Sequence, residues 1–317
     1  MKKRIFAGIL LIACLAALFG CGGKNRRAVG TCAGYDVLYE EFRYMTLSVR
    51  DRMAETYGAE IWDDPASAEA HRAELEETVF LQLAKEYTVL AAAAIYLPDR
   101  SIGDKTTKTA VDAAVNEAIE TFGSKKEYKK ILDELYMTEH LMRFELAKAE
   151  LETALNSAFT VGTELENNET FSAWLTGNFN FVRVKQITLP ASADAAAIRS
   201  ALENGETPEN AIKDLSGASV TAPFYLVRGL AEDPTLEKDA FALKSVGAVG
   251  EARETESGYR ILVRMDDQTE AFLANQASAY RKRLCDVLAD AKFAEIESSL
   301  RLELNDYGRS LDLLKIK

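Results

Sequence analysis

The sequence predicts an α+β protein in which long helical patterns flank, on both sides, a small domain of strands and short helices. Three stretches lead to this prediction. Residues 35–160 hold a series of amphipathic helical patterns, residues 181–266 alternate β-branched apolar runs with short helical patterns, and residues 267–317 begin with one long helical pattern. The alternation in the middle stretch is typical of helices packed on an antiparallel-rich sheet.

Composition limits the classes of function. The 317 residues are 48% hydrophobic, which is enough for one or two cores, and the formal net charge is −12. A chain this acidic repels nucleic acid and anionic lipid surfaces alike, so no nucleic-acid partner is expected. The two histidines, His71 and His140, fall in helical patterns among acids and apolar residues, where a surface or packing role is expected.

The first residues have the features of a targeting segment. Residues 2–4 are basic, residues 5–19 are apolar but too few to span a bilayer, and Gly20 precedes Cys21. This pattern resembles a bacterial lipoprotein signal, which implies that residues 1–20 are removed and that the Cys21 thiol carries a diacylglyceryl group. Two acyl chains hold a protein stably on a membrane. An ordinary secretory signal or an uncleaved anchor is the alternative.

With Cys21 lipidated, Cys32 and Cys285 are left as thiols of the mature chain. They can pair in an oxidising compartment, but their wide separation in the sequence favours two free thiols, and both readings stay open. No cluster of cysteine and histidine has the spacing of metal ligands. The sequence therefore predicts neither a metal nor another cofactor.

Residues 21–34 are predicted to be a tether that ends in the first strand of a small hairpin. In the helical module that follows, apolar residues recur every three or four positions. The predicted helices cover residues 39–57, 68–94, 106–122, a short stretch after Ser124, and residues 138–155. Their predicted caps are Asp64, which precedes Pro65 at the first helical position, Ser124 and Thr138.

Residues 161–180 contain two glycines and several asparagines, and are predicted to be a linker. In the inserted domain, residues 181–266, the predicted order is strand, helix, helix, strand, helix, strand, strand. Residues 267–307 are predicted to be one helix on the order of 60 Å long. Because so long a helix needs a partner surface, residues 267–317 are expected to pack on the amino-terminal module.

Three features of the helical module resemble the SurA/PrsA group of extracytoplasmic foldases. They are Glu-Glu-Phe-Arg-Tyr at residues 40–44, Glu-Tyr-Lys-Lys-Ile-Leu at residues 127–132 followed by Met137 and Thr138, and the long last helix. The resemblance covers nearly all of the chain after the targeting segment. It implies a helical chaperone module built from both chain ends, with a parvulin-type prolyl isomerase domain inserted between them.

The inserted stretch is similar to parvulin in its frame. The similar segments are residues 184–189 for the first strand, 207–211 for the start of the second helix, 240–247 for a short helix and turn, and 255–263 for the last strand. In the second of these, Thr207 is expected to cap the helix and Pro208 to take its first position. The likeness implies a small domain of the order βααβαββ.

The positions that line the parvulin pocket depart from the family pattern. Parvulins have a histidine on the first strand, where this chain has Gln186, and another on the last strand, where it has Arg260. Leu236 stands in place of a pocket aromatic, and Thr255 is the one position found to agree. Because arginine brings a permanent charge to a place that takes a compact ring, the comparison implies an impaired isomerase. An active site with altered residues is the alternative.

These features together predict a lipid-anchored chaperone on the extracytoplasmic face of the cell membrane. Its expected partners are unfolded or partly folded secreted polypeptides, and a homodimer is left open. Two other functions are weighed against it: an active peptidyl-prolyl cis-trans isomerase, and a structural or solute-binding lipoprotein. Solute receptors usually alternate strands and helices across two lobes, and this chain does not.

Cys21→Ser is expected to release the protein from the membrane, because the serine hydroxyl does not replace the thiol that takes the diacylglyceryl group. Fractionation of expressing cells, with labelled fatty acid as the second readout, measures this. Cys14→Ser, which lies inside the apolar run, is the matched control and should leave both readouts unchanged. Membrane retention and labelling of the Cys21→Ser variant would contradict the lipoprotein prediction.

Overall fold

The computed structural model describes residues 24–191 and 193–317. The predicted targeting segment and Cys21 lie outside the described residues. The described chain is mixed α+β and divides into two compact units. Unit 1 consists of residues 24–159 together with Ala289–Lys317, and unit 2 of Thr160–Leu288.

The elements of the described chain are numbered in chain order. The strands are β1 (Ala28–Cys32), β2 (Tyr35–Leu38), β3 (Phe181–Pro190), β4 (Ser219–Val220), β5 (Phe224–Val227), β6 (Arg253–Thr255), β7 (Gly258–Arg264) and β8 (Glu303–Leu304). The helices are α1 (Tyr39–Tyr57), α2 (Pro65–Ala70), α3 (Arg72–Glu86), α4 (Thr88–Tyr96), α5 (Lys105–Thr121), α6 (Lys125–Glu134), α7 (Glu139–Ala158), α8 (Asn168–Gly177), α9 (Ala195–Glu203), α10 (Pro208–Ala211), α11 (Pro234–Ala242), α12 (Thr269–Asn275), α13 (Ala277–Glu297) and α14 (Asp306–Arg309). Short 3₁₀ helices lie at Lys24–Arg26, Ala59–Trp62 and Leu313–Lys315.

Side-chain caps begin several helices of unit 1. Asp64 caps α2, Ser124 caps α6 and Thr138 caps α7, and each side-chain oxygen accepts a hydrogen bond from the backbone N–H three residues later. A cap of this kind satisfies an N–H that the first helical turn leaves without an intrahelical partner. The three predicted caps are confirmed, as are the hairpin of β1 and β2 and the bounds of α1.

The single helix predicted over residues 68–94 is wrong. The chain forms α2, α3 and α4 there, with breaks at His71 and Tyr87. The Tyr87 ring is 1% exposed and its hydroxyl lies 3.0 Å from the carbonyl oxygen of Asp36 in β2. Because this contact fixes the residue on the hairpin, tertiary packing and not helix propensity sets the position of the break.

Among the described residues, the run Arg72–Tyr96 is long and apolar enough to cross a membrane by length and composition alone. Its two helices instead supply core side chains of unit 1. Its large buried side chains are those of Leu75, Val79, Leu83, Tyr87 and Leu90. Burial of this stripe explains the apolar composition of the run, as in a core helix.

The two ends of the described chain meet in a three-stranded sheet of unit 1. β1 lies between β2 and β8 and pairs antiparallel with both, with Thr31 opposite Glu303. The Asn305 N–H donates to the Val29 carbonyl oxygen at 3.0 Å. Gly308 in α14 lies so close to this strand that a Cβ atom there would be 2.0 Å from the same carbonyl oxygen. The sheet of unit 1 is therefore complete only with the carboxyl-terminal segment.

The single helix predicted over residues 267–307 is also wrong. The chain forms α12 and α13, separated at Gln276, and α13 ends at Glu297. The hydroxyls of Ser298 and Ser299 donate to backbone carbonyls of the last turn, at 2.8 Å each, and hydroxyls of this kind compete with helix continuation. The chain then extends and pairs as β8, so strand pairing overrides the helical pattern.

The carboxyl-terminal part of α13 belongs to unit 1. There Phe293 packs edge-on against Phe159 at the end of α7, with ring centroids 5.4 Å apart. Residues 267–288 belong to unit 2 instead, so the boundary found at Ala289 differs from the predicted one at residue 267. The apolar stripe that runs through this segment serves two cores rather than one.

The linker predicted over residues 161–180 contains a helix, α8. The Asn167 side chain caps it by accepting hydrogen bonds from the Glu169 and Thr170 N–H groups. Phe171 and Leu175 on this helix are buried at 1% and 0% exposure, and they join the core of unit 2. An asparagine that suggested a linker is thus a helix cap.

Both cysteines of the described chain are free thiols. Cys32 in β1 is 1% exposed, and burial raises the pKa of its thiol. Cys285 in α13 is half-buried, and burial raises the pKa of its thiol as well. The thiols are therefore held in their unreactive, protonated form.

Unit 2 is built on an antiparallel sheet with the strand order β4, β3, β7, β6, and β5 pairs with another part of β3. Apart from the two-residue strand β4, the elements follow the predicted order. Side chains alternate between the two faces. One face packs Ile187 and Ile261 against α9, and the other packs Val184 and Leu262 against α11.

Gly308→Ala is expected to destabilise unit 1, because the added methyl group collides with a backbone carbonyl that sheet pairing holds in place. Overpacking of this kind costs roughly 1–3 kcal/mol. The chain has two tryptophans, Trp62 in unit 1 and Trp174 in unit 2. Urea unfolding followed by Trp62 fluorescence in a Trp174→Phe background therefore reports on unit 1.

Gly103→Ala is the matched control, since a Cβ atom there meets nothing closer than the Ser101 hydroxyl at 3.9 Å. Its unfolding midpoint should stay near that of the parent. Equal midpoints for the Gly308 and Gly103 variants would contradict the close approach of α14 to β1.

Candidate functional site

Three strands of unit 2 carry predicted pocket residues on one face of the sheet. In the antiparallel register Thr188 lies opposite Arg260, and Arg260 lies opposite Arg253. Side chains alternate along a strand, so Gln186, two residues before Thr188, shares this face. Thr255, two residues after Arg253, shares it for the same reason. The sheet thus brings three of the four predicted residues onto one surface.

The fourth predicted residue, Leu236, lies on α11, the helix that covers this face. It is half-buried and packs against an apolar cluster of the sheet and helix. The buried members of this cluster are Val182, Val184, Leu226, Ala240, Phe241, Leu243 and Leu262. Leu236 therefore takes part in the contact between helix and sheet.

Arg260 is the centre of an ion-pair network between the sheet and α11. Its Nη1 donates a hydrogen bond to Asp233 Oδ2 at 2.6 Å, and its Nη2 lies 3.9 Å from Asp239 Oδ2. Arg253 donates two hydrogen bonds to the Asp239 carboxylate, at 3.0 and 2.7 Å. The Arg260 side chain is 11% exposed, so its charge is largely removed from water and is balanced by two aspartates.

Asp233 has two tasks in this network. Its Oδ1 accepts a hydrogen bond from the Thr235 N–H at 2.8 Å, which caps α11 in front of Pro234. The hydrogen bond from Arg260 holds the pKa of this carboxyl below its usual value. Sequence reasoning missed both aspartates of the network. An Asp-Pro pair before a helical pattern indicates the start of a helix, and the sequence has such a pair at Asp233 and Pro234.

Gln186 contacts two threonines, Thr188 and Thr221. Its Nε2 donates to Thr188 Oγ1 at 3.3 Å. Its backbone N–H donates to Thr221 Oγ1 at 3.0 Å, and its carbonyl oxygen accepts from the Thr221 N–H at 2.9 Å. The face therefore offers an amide, hydroxyls and paired charges, whereas His71 and His140 both lie in unit 1.

Thr255 ends β6, and the turn that follows it depends on Gly258. This glycine has φ +142°, and a Cβ atom there would be 1.9 Å from the Leu189 carbonyl oxygen. Only glycine fits so close to the neighbouring strand. The turn explains the glycine of the similar segment 255–263, but it gives Thr255 no chemical role.

A cavity of about 340 Å³ lies in another part of unit 2, beside β5 and the break between α12 and α13. It is lined by Arg183, Pro223, Phe224, Tyr225, Gln268, Ala271, Asn275, Gln276 and Tyr280. None of the four predicted pocket residues lines it. Within residues 24–191 and 193–317, no group of three or more His, Cys, Asp or Glu side chains is arranged to hold a metal ion.

Unit 1 contains buried polar residues that sequence reasoning did not group together. The carboxylate of Glu40, which is 3% exposed, accepts a hydrogen bond from the Thr138 hydroxyl and lies 2.5 Å from His140 Nδ1. Lys148, which is 4% exposed, forms ion pairs with Glu86 and Glu145 at 2.5 and 2.8 Å. His140 thus has a packing role beside a buried acid.

No protein-family model matches this chain, and no curated protein matches it. Its structural neighbours are PrsA and SurA-like foldases. At 14% identity it is similar to the peptidylprolyl isomerase PrsA from Bacillus anthracis (68% of this chain, 94% of that chain, TM-score 0.40) and to PrsA from Bacillus cereus (92% and 96%, TM-score 0.40). It is also similar, at 14% identity, to a structure described as one of two related SurA-like chaperones, PEB4 and Cj1289, from Campylobacter jejuni (71% and 86%, TM-score 0.26). Similarity at these TM-scores does not indicate function. A function is therefore inferred from the residues of this chain.

Arg260→Met is expected to lower the stability of unit 2, because methionine keeps much of the side-chain length but leaves Asp233 and Asp239 without their shared cation. Urea unfolding followed by Trp174 fluorescence in a Trp62→Phe background measures this. Since Arg260 lowers the pKa of Asp233, its contribution is present above the usual aspartate value of 3.8 and is lost as the pH falls through the lower folded value. The difference in the free energy of unfolding between parent and variant should be largest at pH 7 and should shrink below about pH 4.

Arg228→Met is the matched control, because this guanidinium lies over the Phe241 ring, 4.0 Å from its centroid. Its effect should not vary between pH 3 and pH 7. If Arg260→Met lowers the free energy of unfolding equally at both pH values, the effect does not come from the ion pair.

Proposed function

We propose that this protein is a membrane-anchored extracytoplasmic chaperone of the SurA/PrsA type, in which unit 2 is a parvulin-like module that does not catalyse prolyl isomerisation. The observation that carries the proposal is the ion-pair network of Arg260 with Asp233 and Asp239. By the resemblance drawn from the sequence, Arg260 stands where parvulins have a histidine on the last strand.

The network opposes catalysis for a physical reason. The peptide bond resists rotation with a barrier of ~18–20 kcal/mol, and an enzyme lowers it by gripping the proline in an apolar, desolvating pocket. A guanidinium that is 11% exposed and bound to two carboxylates gives the face the opposite character. Moving Arg260 aside breaks its hydrogen bond to Asp233 and leaves Arg253 as the cation beside Asp239, which costs stability. The network thus favours a module that serves as a scaffold or an interaction surface.

Unit 1 supports the chaperone part of the proposal. It is a helical body closed by strands from both ends of the described chain, as the resemblance to the SurA/PrsA group implies. Several large apolar side chains on it are exposed, and such side chains can contact the apolar segments of a partly folded polypeptide. They are Tyr57, Leu81, Ile95, Tyr96, Phe122 and Leu135. A lipid on Cys21 holds this body at the extracytoplasmic face of the membrane.

The chain from residue 21 onward, carrying Cys21→Ser, is expected to suppress the aggregation of an unfolded client and to leave proline-limited refolding unchanged. Light scattering measures the first, and the slow refolding phase of a substrate protein with a non-native proline isomer measures the second. A parvulin of known activity is the positive control for the second assay. If the protein accelerates refolding and Gln186→Ala or Arg260→Met removes this effect, the protein is an active isomerase. That result would contradict the proposal that unit 2 does not catalyse prolyl isomerisation.

Substitutions at exposed apolar side chains test the chaperone function. Leu81→Gln combined with Ile95→Gln, both 63% exposed in unit 1, should weaken the suppression of aggregation. Val246→Gln, a similar change at a side chain that is 65% exposed in unit 2, should leave it intact. An absence of suppression by the parent at several-fold excess over the client would contradict the chaperone function.

A further inference from the structure

Glu41 is a buried carboxyl group at the point where β2, α1 and the break between α3 and α4 meet. It lies in the first turn of α1 and is 7% exposed. Its Oε2 accepts a hydrogen bond from the Leu38 N–H at 2.5 Å, which satisfies a donor that the helix start leaves open. Its Oε1 lies 2.8 Å from the hydroxyl oxygen of Tyr87, which is 1% exposed.

The Tyr87 hydroxyl has two neighbours that accept hydrogen bonds and a single proton to donate. Its oxygen lies 2.8 Å from Glu41 Oε1 and 3.0 Å from the carbonyl oxygen of Asp36. A backbone carbonyl is an acceptor only, and an ionised carboxylate is an acceptor only. With Glu41 ionised, one of these two contacts therefore brings two acceptor oxygen atoms together with no proton between them, which is unfavourable.

A protonated Glu41 removes this conflict. Its O–H donates to the Tyr87 oxygen, and the Tyr87 hydroxyl donates to the Asp36 carbonyl oxygen, so that each contact contains one proton. Glu41 Oε2 continues to accept from the Leu38 N–H. All of these hydrogen-bond donors and acceptors are therefore paired only when the Glu41 carboxyl group is neutral.

The charges around Glu41 agree with a neutral acid. The cation that acts on Glu41, Lys148 on α7, is already paired with Glu86 on α3 and Glu145 on α7. On the side of β1, Cys32 lies near Tyr87 and supplies no cation. Burial raises the pKa of Glu41 to about 7, against the lowering effects of the Leu38 N–H, Tyr87 and Lys148.

The other titratable groups of this region face Glu40 instead. Glu40 precedes Glu41 on α1, and its carboxylate contacts Thr138 and His140 of α7. The adjacent acids therefore have different surroundings, since Glu40 meets donors from α7 whereas Glu41 meets a hydroxyl that is already committed to Asp36.

We propose that Glu41 is a neutral carboxylic acid in the folded protein and that its proton acts as a latch, which joins the hairpin, the start of α1 and the break between α3 and α4. Loss of this proton forces one of the two Tyr87 contacts to open and so loosens unit 1. The latch makes the stability of unit 1 respond to pH between mildly acidic and neutral values. It does not depend on whether the protein is a chaperone.

The direction of the response follows from the two states. The carboxyl group of an unfolded chain titrates near 4.5, whereas the folded one titrates near 7. Between these values the folded protein holds a proton that the unfolded chain has released. The stabilisation is therefore complete below about pH 4.5 and is lost as the pH rises through about 7. In this window the unfolding constant should rise by up to about tenfold per pH unit.

Glu41→Gln tests the latch, because glutamine is a neutral substitute of nearly the same shape. Its Nε2 can donate to the Tyr87 oxygen while its Oε1 accepts from the Leu38 N–H. The urea unfolding constant of unit 1 is measured between pH 5 and 8 by Trp62 fluorescence, in the full mature chain with Trp174→Phe. The parent should lose stability with rising pH more steeply than the variant, and at pH 8 the variant should be the more stable of the two.

Glu55→Gln, the same change at an exposed position of α1, is the matched control and should keep the pH dependence of the parent. Parallel pH profiles for the parent and Glu41→Gln would overturn the proposal. A Glu41→Gln variant that fails to fold would overturn it as well, since a neutral side chain is what the latch requires.

A second measurement needs no destabilised variant. The side-chain carboxyl carbon of Glu41 is assigned in the parent by the loss of its NMR signal in Glu41→Gln, or from backbone-linked spectra. At pH 6 its chemical shift should be that of a protonated carboxyl group. A shift typical of a carboxylate at pH 6 would contradict the proposal.

Discussion

The pairing of β1 with β8 is the contact on which the architecture depends. It joins strands from opposite ends of the described chain. The Asn305 hydrogen bond and the close approach of Gly308 both reach the Val29 carbonyl oxygen of β1. This sheet brings the two ends of the described chain together in unit 1. Unit 2, Thr160–Leu288, is the stretch of chain inserted between the two parts of unit 1. Contacts so distant in sequence form late in folding, since the whole intervening chain has to be closed into a loop first.

The two units deal with buried charge in different ways. In unit 2 the Arg260 guanidinium keeps its charge, and Asp233 and Asp239 balance it across the contact between sheet and helix. In unit 1 the Glu41 carboxyl lies beside a cation that is already paired, and a neutral form satisfies its neighbours better. Both solutions follow from the cost of an unbalanced charge away from water. The first fixes a charged contact between sheet and helix in unit 2, and the second makes the stability of unit 1 depend on pH.

Local patterns in the sequence predicted the elements whose ends are set locally. The apolar stripe of α1 and the caps Asp64, Ser124 and Thr138 are read from neighbours along the chain, and they are found as expected. The break at Tyr87 was missed, because its partner Asp36 is far away in the sequence. The same holds for the site: the resemblance to parvulin singled out Gln186, Thr255 and Arg260, but ion pairs between a strand and a helix leave no periodic signal. Asp233 and Asp239 were therefore found only in three dimensions.

The most direct measurement of the central claim is a cross-link between the two chain ends. Thr31 and Glu303 are both exposed and lie opposite each other in the register of β1 and β8. Directly opposed residues bring their Cβ atoms within about 5 Å, near the range of a disulfide. In a mature chain whose other cysteines are replaced by alanine, Thr31→Cys with Glu303→Cys should link on oxidation when folded and not in urea. Thiols that stay reactive and unlinked in the folded protein would contradict a unit 1 built from both ends.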